Sequence, residues 1–204
     1  MKVGVNGAVR DISDLKAGVN GAVHTVSELW IGVNGAVKKV WPTFPVGSQV
    51  ILDTVGSGEW TCPASGNWLL ELHGGGGGGG SIDALYYRLG GGGGGSGEEY
   101  EIALNAGQNV LYEIGNGTFS DGKATTFGEY SIDGGRHAVM DFGGSGVGSL
   151  ATDGTNAQSG KRGKGGSGNK NKPSQTYGNG GDGADVDSDS EKGTDGAIIL
   201  TYLG

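Results

Sequence analysis

Two uninterrupted glycine runs, residues 74–80 and 90–95, constrain what this chain can fold into more than any other feature. Ordering glycine costs about 0.5–1 kcal/mol more per residue than ordering alanine, so these thirteen cost roughly 6–13 kcal/mol extra. That is comparable with the whole net stability of a domain, about 5–15 kcal/mol. Either the runs are flexible linkers, or a specific structure offsets the cost. The ordered alternative is a pair of side-chain-free rods in polyproline II geometry, packed closely enough for backbone groups of neighbouring rods to hydrogen-bond. At about 3.1 Å per residue the rods would measure roughly 22 and 19 Å. Their near-equal lengths suit an out-and-back pair, through Gly74, Gly77 and Gly80 and back through Gly90, Gly92 and Gly95, with residues 81–89 at its tip. A linker needs neither matched lengths nor Ile82, Leu85, Tyr86 and Tyr87 between its halves, and rods are the favoured reading. Further glycine-rich segments at 143–148, 163–168 and 178–183 suit the same bundle.

With 48 glycines but only 4 prolines in 204 residues and no G-X-Y register, the chain is not collagen. Apolar stretches at 50–55, 68–72 and 197–203 exclude a uniformly disordered chain. No apolar run approaches the ~18 residues of a membrane span, and the first 20 residues lack a signal-peptide core. The expectation is a protein made in the cytoplasm without a signal peptide and without membrane insertion. The single cysteine, Cys62, excludes an internal disulfide.

Residues 1–41 contain GVNGAV three times at a 14-residue spacing. Each copy sets Asn-Gly between short apolar segments, and Asn-Gly suits the two positive-φ positions of a type I′ turn. Three β-hairpin repeats are expected, turning at Asn6-Gly7, Asn20-Gly21 and Asn34-Gly35. An isolated hairpin is marginal in water, so they are expected to stack or dock. Residues 42–46, with two of the prolines, form a linker to a second domain at 47–204. Residues 1–41 carry five Lys/Arg against three Asp/Glu, and the remainder nine against nineteen. Such an acidic second domain argues against a nucleic-acid partner.

From residue 46 onward the pattern is β, with strand-length apolar segments at 49–55, 59–62, 67–73, 100–104, 109–114, 129–132, 138–142 and 197–203. Trp68, Leu70 and Leu72 mark a buried face, with Glu71 and His73 alternating onto the other as in a half-buried strand. The last segment, apolar on both faces, closes the sheet against strands far earlier in the chain. The expected fold is all-β: hairpin repeats, then a β-sandwich carrying the rods.

The succession of Glu59-Trp60-Thr61-Cys62-Pro63-Ala64-Ser65-Gly66, a strand ending in His73 and poly-Gly, a second poly-Gly run, Ala106-Gly107-Gln108, Thr125-Thr126-Phe127-Gly128 and terminal Gly196-Ala197-Ile198-Ile199-Leu200 resembles the glycine-rich domain of bacteriophage tail proteins. The likeness spans about residues 47–204. It implies a β-sandwich carrying a polyglycine II helix bundle whose inter-rod loops contact a host receptor. It implies a non-enzymatic tail-fibre or tail-tip adhesin, synthesised in the bacterial cytoplasm and acting in the virion tail or extracellularly. Its partners would be a bacterial surface glycan or protein and, through residues 1–41, other tail subunits. A homotrimer is the first expectation, by analogy. The alternative is a self-assembling filament or virion subunit that binds no receptor.

The contact candidates are the loop residues Tyr86, Tyr87, Arg88, Arg136, His137, Lys161, Arg162 and Tyr177. Exposed aromatics on rigid supports commonly anchor glycans and proteins. The run Lys161, Arg162, Lys164, Lys170 and Lys172 could bind an anionic glycan, or form a solvated loop. Trp60, Trp68, Tyr112 and Tyr202 lie in apolar strands and read as core. His24, His73 and His137 have no metal-ligand or triad spacing around them. Asp185, Asp187 and Asp189 resemble a calcium loop but lack its glycine and its terminal glutamate. No cofactor, metal site or catalytic activity is expected.

Overall fold

A β-strand buries one face only if a second layer covers it, and the apolar alternation after residue 46 supplies two such layers. The computed structural model describes residues 2–5, 8–11, 16–19, 22–25, 29–33, 36–41, 44–81, 90–158, 161–172, 174–184 and 189–204, those before residue 42 as backbone. The chain divides into two compact units, Met1–Pro45 and Val46–Gly204.

In the first unit β1 (Lys2–Val5) pairs with β2 (Ala8–Asp11), β3 (Lys16–Val19) with β4 (Ala22–Thr25), and β5 (Leu29–Val33) with β6 (Ala36–Trp41), each pair antiparallel and forming its own sheet. Their registers are equivalent: Val5 faces Ala8, Val19 faces Ala22 and Val33 faces Ala36. The turn candidates Asn6, Gly7, Asn20, Gly21, Asn34 and Gly35 lie outside the described residues.

The second unit contains β7 (Gln49–Leu52), β8 (Gly56–Thr61), β9 (Gly66–His73), β10 (Glu98–Leu104), β11 (Asn109–Ile114), β12 (Thr125–Phe127), β13 (Tyr130–Ile132) and β14 (Ala197–Tyr202). They form two antiparallel sheets, ordered β10-β9-β14-β7 and β13-β12-β11-β8, and no helix occurs among the described residues. Trp68, Leu70 and Leu72 of β9 are fully buried, with Ile198 and Leu200 of β14 beside them. Trp60 of β8 meets Trp68 edge-on, ring centroids 5.7 Å apart, and also contacts Phe127 of β12. These ring contacts join the apolar faces of the two sheets. The terminal strand β14 lies between β9 and β7, which explains its apolar residues on both faces.

The glycine runs extend the β9–β10 pair. Beyond the last register pair, Leu72 with Glu98, Gly77 N–H donates to Gly94 O and Gly80 N–H to Gly91 O. The intervening donors go elsewhere: Gly75 and Gly78 to Lys123 and Ser120, Gly76 and Gly79 to Thr194 and Glu191. Successive N–H groups thus address three neighbours and return to the first at every third residue, the signature of a helix with three residues per turn. The returning run does the same, with Gly90, Gly93 and Ser96 donating to Ala184, Gly181 and Gly178. Both runs are buried throughout. At each of their thirteen positions a Cβ would come within 3.0 Å of a neighbouring backbone atom.

Segments that are far from glycine-pure complete the bundle, among them 115–124, 134–140, 151–157 and 191–196. The 74–80 and 90–95 runs are surrounded and need glycine everywhere. Peripheral segments need it only at inward positions, such as Gly122 against Gly75 and Gly154 against Gly92. The segments 143–148, 163–168 and 178–183 also join, through bonds such as Gly144 N–H to Gly92 O and Gly166 N–H to Gly93 O. All of them leave the same end of the sheets, because the antiparallel pairing brings the C-ends of β9, β11 and β13 beside the N-ends of β10, β12 and β14.

Two sequence expectations are corrected. Residues 138–142 form no strand, only a bridge between Val139 and Phe142 around a tight bend. Glu71 and His73 do not face water: both are fully buried, because residues 169–177 cross over that face of the sheet.

The packing makes a measurable demand. Gly93→Ala would drive a methyl group into Gly77 O, and is expected to lower the unfolding free energy by more than about 3 kcal/mol. Gly107→Ala, in an open turn at φ +80°, should cost only about 1–2 kcal/mol. Denaturant unfolding followed by tryptophan fluorescence checks both; a Gly93→Ala protein as stable as the parent would refute the interlocked packing.

Candidate functional site

The end of the bundle remote from the sheets is where the chain reverses between rods. Gly80 and Gly91 meet there, the N–H of the first donating to the carbonyl of the second; Tyr86, Tyr87 and Arg88 lie outside the described residues. One reversal is well defined. Val139 and Phe142 exchange two backbone hydrogen bonds of 3.1 and 3.0 Å around Met140 and Asp141. Met140 has φ 54°, the only positive φ outside glycine among the described residues. A left-handed residue with a Cβ costs about 1–2 kcal/mol. The bend is held by Gly91 N–H donating to Met140 O and Ala157 N–H to Asp141 O.

This strained bend displays apolar side chains. Val139, Met140 and Phe142 are 57%, 57% and 58% exposed, and Phe119, beside Gly78, is 65% exposed. Sequence reasoning missed all four: Phe119 is a lone aromatic among polar residues, and the apolar run at 138–142 resembles a strand. The available signal was its abrupt end at Gly143-Gly144, which leaves too little chain between rods for a core strand.

The polar residues nearby are largely committed to one another. Asp121 accepts from Arg136 Nη1 at 2.8 Å and from the His137 backbone N–H at 2.9 Å, and its carboxylate is 2.7 Å from His137 Nδ1. The His137 N–H leads, with Arg136 and the His137 ring assisting, in holding the Asp121 carboxyl well below the usual carboxylate range. Arg136 and His137 therefore brace two neighbouring segments through Asp121, while remaining about half exposed. Arg162 pairs with Asp182 and Glu191 at 3.4 and 3.3 Å, and Lys164 Nζ lies 2.6 Å from Asp182. Burial opposes ionisation of Asp182, yet Lys164 and the Gly165 N–H outweigh it and lower its pKa. Lys161 is exposed, its backbone paired with Gln158. The basic run is thus largely neutralised in place rather than offered as an open cationic patch.

Tyr177 belongs to another region. It is half-buried over the first sheet, its hydroxyl donating to Asp53 Oδ2 at 2.9 Å and its ring 6.4 Å from that of His73. Below it the crossing segment is tied to the sheet by polar groups. Asn169 Nδ2 donates to Glu71 at 3.1 Å, Lys172 Nζ pairs with Glu71, and Gln175 lies 3.3 Å from His73 Nε2. Burial pushes the His73 pKa below the ordinary histidine value, with Glu71 partly opposing.

No protein-family model matches the chain, and no curated protein matches it.

Among the described residues no three His, Cys, Asp or Glu side chains cluster to hold a metal. Asp185 and Asp187 lie outside the described residues. No described helix is long and apolar enough to cross a membrane. Cys62 is buried, with its thiol on Ala64 O, and burial raises its pKa. The described tip presents exposed apolar side chains on a bend held by backbone hydrogen bonds.

The buried His73 predicts a pH dependence. The unfolded chain takes up a proton at about pH 6.5, whereas folded His73 stays neutral to lower pH. Its contribution is therefore whole above that value and lost as pH falls below it. His73→Gln is expected to flatten the decline in urea midpoint between about pH 7 and 5; an unchanged slope would exclude His73 as its source.

Proposed function

We propose that this protein is a bacteriophage tail-fibre or tail-tip adhesin, a non-enzymatic component of the virion tail that binds a bacterial surface receptor. In this reading the second unit is a β-sandwich carrying a polyglycine II bundle, and the first is a set of three hairpin repeats that attaches it to other tail subunits or to its own copies. A homotrimer is the proposed assembly, and the protein acts outside the cell. The observation that carries the reading is the strained Met140 bend with exposed Val139, Met140, Phe142 and nearby Phe119, at the rod ends farthest from the sheets. Rods joined by backbone bonds let tip residues change without repacking a side-chain core, a useful property in a surface that must follow a changing receptor. An exposed apolar cluster on a rigid support also fits a contact surface better than a solvated loop.

The contact residues proposed at the described tip are Phe119, Val139, Met140 and Phe142, with Arg136 and His137 at the margin. Tyr86, Tyr87 and Arg88 remain candidates by their place in the chain between the two central rods.

Labelled full-length protein is expected to bind at least one strain in a panel of bacteria. The double variant Met140→Asp, Phe142→Ser should weaken that binding by about tenfold or more, equivalent to about 1.4 kcal/mol, with melting temperature nearly unchanged. Failure to bind any strain, together with concentration-dependent polymers in electron micrographs, would replace the adhesin by a self-assembling filament subunit.

A further inference from the structure

A second surface, remote from the rod tips, has the construction of a ligand site. Between the crossing segment and strands β7 and β14 lies an open groove of about 370 Å³, floored by Ile51 and Ile199 and walled by Lys172, Gln175 and Tyr177. Gln49 and Ser174 stand at its rim. Its size falls at the small end of ligand sites, about 300–1,000 Å³, which suits one or two sugar units.

Each wall residue is braced from outside the groove. Tyr177 is fixed by Asp53, Lys172 by Glu71, and Gln49 by Thr201 Oγ1 at 3.0 Å. Gln175 is held by Asn169 at 3.2 Å and by His73, and Asn169 Oδ1 accepts the backbone N–H groups of Asn171 and Lys172. Burying Glu71, His73 and Asn169 this way costs desolvation that an apolar layer would avoid. What the polar layer provides instead is a set position for the ammonium, amide and phenol groups along the groove, the preorganisation a binding site requires.

The chemistry of the walls selects the ligand. Half-exposed Ile51 and a fixed tyrosine ring offer an apolar platform, which matches the C–H face of a pyranose. The amide, hydroxyl and ammonium groups match a rim of sugar hydroxyls. Lys172 is already balanced by Glu71, and Asp53 stands behind Tyr177, so no surplus positive charge invites a carboxylate or phosphate. We propose that this groove binds one or two units of a neutral saccharide, independently of the rod tip.

The test uses the full-length protein, with maltose, cellobiose and N,N′-diacetylchitobiose as probes followed by NMR. At least one disaccharide at millimolar concentration is expected to shift resonances of Tyr177 and Ile51. Ser174→Trp, an exposed substitution that fills the groove without touching the buried layer, should weaken that binding by about tenfold or more. Met140→Asp at the rod tip should leave it unchanged. The proposal is overturned if no probe shifts these resonances, if Ser174→Trp binds as well as the parent, or if the shifts map to Phe119 and Phe142. Cell binding through the tip is a separate readout, so failure here leaves the adhesin reading untouched.

Discussion

The second unit depends on one constraint: backbone groups of neighbouring rods can hydrogen-bond on every side only if nothing projects between them. All thirteen N–H groups of the two central runs find acceptors, twelve of them backbone carbonyls and the first the Ser96 hydroxyl. At about 0.5–1.5 kcal/mol net per bond, these offset the roughly 6–13 kcal/mol of additional ordering cost of glycine. A single methyl group would separate two rods and release several bonds together. The bundle is therefore intolerant at its centre and permissive at its ends.

Two different kinds of core meet where the sheets give way to rods. On one side Trp60, Trp68, Phe127 and the aliphatic residues of β9 and β14 exclude water by side-chain packing. On the other, backbone bonding takes over. The pairing of β9 with β10 passes directly into that of residues 77–80 with 91–94, so the sheet sets the starting register of the bundle. Ser96 Oγ marks the junction, accepting from Gly74 N–H and donating to Asp133 O. A rigid scaffold of this kind can hold Met140 in an unfavourable conformation that a mobile loop would relax.

The all-β character was legible because alternation in Trp68, Leu70 and Leu72 and the double-faced β14 are local patterns. The glycine runs were legible for a similar reason, since uninterrupted purity is needed only where a rod is surrounded. Peripheral segments such as 115–124 and 151–157 were not, because outward positions there carry ordinary polar side chains that disguise the inward glycines. The site was less legible than the fold. Arg136, His137, Arg162 and Tyr177 read as free contact residues, yet each has a carboxylate partner distant in sequence. The exposed Val139, Met140 and Phe142 read as a strand, because exposure is a property of the surroundings rather than of the residues.

The sequence by itself determined that residues 74–80 and 90–95 could only be unstructured or packed as rods without side chains, that the apolar segments of the second unit pair as strands, and that the core between those strands is aromatic and aliphatic. These follow from composition and short-range periodicity, which need no knowledge of neighbours. Only the tertiary structure decided which segments ring the rods, that Glu71 and His73 are buried under residues 169–177, and which charges are already paired. Those outcomes depend on contacts between residues as far apart as Glu71 and Lys172, and side-chain burial, pairing and exposure arise only when distant segments are brought together.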